Sequence, residues 1–142
     1  MKTRFALCME DARMIAQAAE AEARRNDWQV TIAVCDEGGH LLWLQRMDGA
    51  NPMSALVAPE KARTSVMTRK PSKALEDMVN DGRYAALAMP VIPLEGGEMV
   101  IVHGDVIGGV GVSGVKAGQD AQVAQAGVRA VLEAVNTESR SA

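Results

Sequence analysis

Aromatic residues are scarce in this 142-residue chain, which has one Phe, two Trp and one Tyr. Its core must rely on Val, Leu, Ile, Met and many alanines. Small side chains let elements approach closely, but each buries little area. A monomer of this kind is only modestly stabilised, so the composition predicts a homo-oligomer. Cysteine is as thin: Cys8 and Cys35 alone exclude a disulfide framework. Both read as free thiols, Cys35 packed in a strand and Cys8 facing the core from the first helix. The two histidines, His40 and His103, lack the spaced partners of a structural zinc site. No apolar run is long enough for a membrane span. Met1 to Leu7 carries Lys2 and Arg4, but a polar helix follows where a signal needs an apolar stretch. The expected compartment is therefore a reducing cytoplasm.

Neither sign of charge dominates. The net charge is −3 and the pI about 5.4, which excludes a general polyanion binder. Lys61, Arg63, Arg69, Lys70 and Lys73 gather locally, but no aromatic residues interleave for base stacking, so no nucleic-acid partner is expected. A hydrophobic content of 48% with 23% charged residues fits one soluble globular domain over residues 1–142. The polar tail from Asn136 is expected to fray.

Hydrophobic periodicity predicts a helix over Cys8–Arg25, with Cys8, Ala12, Ile15, Ala19 and Ala23 on its apolar stripe. Val30–Met47 reads as a hairpin that turns at Asp36–His40, where two glycines can take positive φ. It ends on Arg46 and Asp48, either a solvated strand end or the rim of a pocket. A helix to about Met67 follows Gly49–Pro52. Pro59 lies inside it and either kinks it or starts a new helix near Ala58. A short helix is expected over Ser72–Asn80, and irregular chain over Met89–Glu95. A second hairpin is read from Glu98–His103 and Asp105–Ser113, and a last helix from Gln119–Val135. This order gives an α+β fold, an antiparallel sheet of two hairpins with helices on its faces.

Gly109 to Gly114 has the G-x-G-x-x-G spacing, with Glu133 downstream. A dinucleotide fold needs a further parallel strand after the helix, and the sequence has none. The glycines read instead as positions of close backbone approach. Lys61, between Glu60 and Ala62, is either a solvated helix lysine or a cation that reaches an anionic ligand. It becomes a nucleophile if desolvation lowers its pKa. His40 is either a solvated turn residue or a single axial ligand to haem iron, for which the porphyrin supplies the other nitrogens.

Taken in order, these segments resemble the GlcG/HbpS family, the haem-degrading-type domain also found at the C-terminus of PduO-type cobalamin adenosyltransferases. The segments are Ile32–Leu41, Gln45–Ala50, Lys61–Thr64, Gly96-Gly97, Asp105–Gly114, and Asp120 with Ala124 and Gly127. The resemblance implies a profilin-like sandwich and homo-oligomers, often octamers. It implies a ligand such as haem or a corrinoid, with Arg46 and Lys61 on its carboxylates, His40 as the metal contact, and Gly96 and Gly97 at the pocket. Two positions depart from the family pattern: Pro59, and Glu98 with Met99 after the glycine pair. Glu98 motivates an alternative, a catabolic lyase, isomerase or hydratase on a small carboxylated substrate. There Arg46 holds the carboxylate and Lys61, Glu98 or Asp36 moves protons. Both readings place Arg46 and Lys61 on one shared cavity, within a subunit or across a contact between subunits.

Overall fold

The computed structural model describes residues 1–141. Four helices and four strands follow in the order α1 (Met9–Arg25), β1 (Thr31–Asp36), β2 (Leu41–Arg46), α2 (Ser54–Thr68), α3 (Ser72–Asn80), β3 (Gly97–Val102), β4 (Asp105–Ser113) and α4 (Ala117–Ser141). A 3₁₀ turn over Tyr84–Ala88, absent from the sequence reading, lies between α3 and β3. The strands form one antiparallel sheet in the order β2-β1-β4-β3. The architecture is the expected α+β arrangement, and both hairpins are present.

Strand alternation divides the core into two layers. Ile32 and Val34 of β1 and Val110 and Val112 of β4 point to α1 and α4, with Val100 and the α1 residues Ala12, Ile15, Ala16, Ala19 and Ala23. Ala33 and Cys35 point the other way, to Ala58, Ala62 and Val66 of α2. On that second face β4 carries glycines. A Cβ on Gly111 would stand 2.0 Å from the Ala58 carbonyl oxygen, and one on Gly109 would stand 2.7 Å from the Ser65 hydroxyl. The helix backbone thus lies directly on the strand. The Gly-x-Gly pattern records that contact, as the sequence implied.

Several local expectations change. Cys8 is exposed at the start of α1, where its backbone N–H donates to Asp11 at 2.8 Å. The stripe that enters the core begins at Ala12. Pro59 neither ends α2 nor starts a new helix, since Ser54–Thr68 is a single element. Its start is braced by Asn51, whose side chain accepts from the Ser54 N–H at 2.9 Å. The last helix begins at Ala117 and continues through Ser141, although every described residue from Asn136 on is exposed. Residue 142 of the expected tail lies outside the described residues. No helix among the described residues is long and apolar enough to cross a membrane.

Candidate functional site

Lys61 is not a solvated helix lysine. It lies on the sheet-facing side of α2 and is 4% exposed. Its Nζ donates to the Val112 carbonyl and to Asp120 Oδ2, both at 3.0 Å. Asp120, in the first turn of α4, is also buried, and its other oxygen accepts from the Val115 N–H at 3.1 Å. Burial raises the Asp120 carboxyl pKa above its ordinary value, and the ammonium and the Val115 N–H pull it part of the way back. The pair ties α2 to α4 around one end of the sheet.

Gly96 and Gly97 make this position possible. Gly96 has φ +131°, and a Cβ there would stand 2.9 Å from Nζ. A Cβ on Gly97 would stand 2.1 Å from the Lys61 carbonyl oxygen. Ser72 holds the segment in place by donating to the Leu94 carbonyl at 2.6 Å and accepting from the Gly97 N–H at 2.8 Å. The glycine pair therefore seats the lysine and is not part of the cavity wall. The cavity beside Lys61 is about 250 Å³. Its acidic wall is Glu76, Glu95 and Asp120, and Met53, Val57 and Leu94 give an apolar side.

The other expected site residues do not join it. Arg46 is at the same end of the sheet, opposite Thr31, but its Nε donates to the Ala50 carbonyl at 3.1 Å and it does not line the cavity. The expected Arg46–Lys61 cavity is thus not formed within the subunit. Glu98 follows Gly97 on β3, so alternation turns it to the opposite face, where Gln125 donates to it at 3.2 Å. Burial raises its pKa. Asp36 Oδ1 accepts from the Gly38 and His40 N–H groups, both at 2.9 Å, which makes it a turn-forming residue. Asp36 and Thr31 close opposite ends of β1, and about 17 Å of strand separates them. Asp36 and His40 therefore lie far from Lys61.

That distant end has its own chemistry. β1 pairs with β4, so both hairpin turns project from it. His40 is exposed on the first turn. The Arg69 guanidinium adjoins the same turn, its Nη1 donating to the Glu37 carbonyl at 3.2 Å and to the Val66 carbonyl at 2.8 Å, and the residue stays exposed. On the second turn His103 (φ +50°) stacks at a tilt on Phe5, with ring centroids 5.5 Å apart. If a haem edge lay at this end, the exposed His40 imidazole would offer a nitrogen for iron and the exposed Arg69 guanidinium a cation for a propionate. The Lys61 cavity does not fit one. It is smaller than ordinary cofactor pockets, the charge on its walls is mainly acidic, from Glu76, Glu95 and Asp120, and its cation is already paired.

Spacing gave no sign that Lys61 and Asp120 meet, since 59 positions separate them. Glu76 and Glu95 were likewise missed. The available signal was an acidic residue in the first turn of a helix that follows a glycine-rich strand. The local cluster of cations is also dispersed by the fold: Arg63 pairs with Glu60 and Lys73 with Asp77.

Residues 7–129 match the family model described as haem degrading protein HbpS-like. GlcG of Escherichia coli K12 is 50% identical over 114 residues, covering 80% of this chain and 85% of that one. The crystal structure of a double mutant of HbpS from Streptomyces reticuli superposes with a TM-score of 0.82 at 31% identity, covering 91% of this chain and 89% of that one. The structure of a PduOC:haem complex gives 0.81 at 30% identity, covering 89% and 95%. The match over most of the length, in sequence and in fold, means that this chain belongs to the HbpS-like family.

Proposed function

We propose that this chain binds haem or a related tetrapyrrole such as a corrinoid, as a homo-oligomer, at the hairpin-turn end of its sheet. The observation that carries this reading is the likeness to the PduOC:haem complex over nearly its whole length. The family description, haem degradation, supports the same ligand class. His40 is the proposed iron contact, and Arg69 replaces Arg46 and Lys61 as the cation for a propionate. Lys61 cannot leave Asp120 without abandoning a buried carboxylate. Exposed Leu41, Leu44 and Ile101 on the two edge strands support assembly, since they leave apolar surface on each monomer. A carboxylated substrate at the Lys61 cavity is disfavoured by the acidic walls.

Titration of the protein with haemin tests the proposal. The expected result is a saturable, shifted Soret band at micromolar protein, lost in His40→Ala and retained in His103→Ala. An unshifted band in the wild type overturns the reading. A shift unchanged in His40→Ala removes His40 as the contact. Light scattering of the purified protein should give a mass well above the 15.1 kDa of one chain.

A further inference from the structure

We propose that the cavity beside Lys61 is a second ligand site, which takes a small amino alcohol, a molecule with a hydroxyl oxygen at one end and an ammonium at the other. The site is independent of the haem proposal, because it lies at the opposite end of the sheet. An ammonium has three donors, and Lys61 uses two of them, on Val112 and Asp120. At 4% exposure the third has little access to bulk water, and the cavity is where an acceptor can reach it. That donor calls for a neutral oxygen. The remaining charge on the wall is of opposite sign. Glu76 and Glu95 are half-buried, both line the cavity, and neither has an ion-pair partner among the described residues. Three carboxylates face one ammonium, which is itself paired with the third of them. A cationic group is therefore attracted and a carboxylate repelled. Met53, Val57 and Leu94 offer an apolar side for the methylene chain between the two ends. At about 250 Å³ the cavity suits a molecule of a few carbons.

The test uses three compounds that share a four-carbon chain and one hydroxyl: 4-amino-1-butanol, 1,4-butanediol and 4-hydroxybutanoate. Each is titrated into the isotopically labelled full chain and followed by the backbone amides of Gly96, Ser113 and Val115. The expected order of affinity is amino alcohol, then diol, then hydroxybutanoate. In Glu76→Gln/Glu95→Gln the amino alcohol weakens about threefold for each carboxylate removed, while the diol is unchanged. The substitutions are isosteric and lie at half-buried positions, so the variant retains its fold. Hydroxybutanoate binding as tightly as the amino alcohol overturns the proposal, as does the absence of any shift at those amides with all three compounds. Haemin binding measured on the same sample separates this outcome from that of the haem proposal.

Discussion

A buried ammonium and a buried carboxylate are stable only together. Lys61→Met leaves Asp120 without its counter-charge and should cost about 3–5 kcal/mol at neutral pH. Lys61→Met/Asp120→Leu should cost less than the single change, because no charge is stranded. Urea melts of the three proteins at pH 7 measure this. Without Lys61 the Asp120 carboxyl takes up a proton more readily than it does unfolded, so the deficit of Lys61→Met should shrink in acid. Glu98 gives a second pH signature. Its folded pKa is raised by burial, so the native state binds more protons than the unfolded chain between the two pKa values. Stability contributed at this position therefore falls as pH rises through that window. Glu98→Gln, which can still accept from Gln125, should gain in Tm over wild type at pH 7 and show no gain below the carboxylate range. Equal Tm differences at both pH values would contradict this.

Among the elements, the contact of α2 with β4 is the tightest. Gly111→Ala would drive a Cβ into the backbone of α2 and should cost about 3 kcal/mol by overpacking. Gly118→Ala meets nothing within 4 Å in the first turn of α4 and should stabilise by about 0.5 kcal/mol through helix propensity. Chemical denaturation of the pair separates close approach from backbone entropy. Pro59→Ala restores a backbone donor inside α2 and should stabilise by about 1–2 kcal/mol in the same assay. Element boundaries were legible where punctuation was local: α3 from Pro71-Ser72 to Asp81-Gly82, and β4 from its turn to Gly114. They were illegible where tertiary contact decides. Pro59 reads as either a kink or a break, and the break does not occur, because Ala58, Ala62 and Val66 hold α2 on the sheet on both sides of it. Cys8 has helical spacing with the core stripe but stands at the helix start, outside the core.

At the scale of the whole molecule, the sheet keeps two chemistries apart. One end holds the Lys61–Asp120 pair and its cavity, and the other holds both hairpin turns, with His40 and Arg69. The fold and family were legible because ordered motifs cover most of the chain. The site was legible only in part. Lys61, Gly96 and Gly97 do come together, but as the seat of a buried ion pair. Asp36, His40, Arg46 and Glu98 were grouped with them although the strand pairing and alternation scatter them over both ends and both faces. Residue types announce a candidate chemistry, whereas convergence depends on registers between distant segments. The most direct measurement is the anomalous iron signal in crystals of the haemin-loaded protein. The account places the iron against His40 at the hairpin-turn end, with a propionate near Arg69. Iron beside Lys61 and Asp120, or no bound iron, would contradict it.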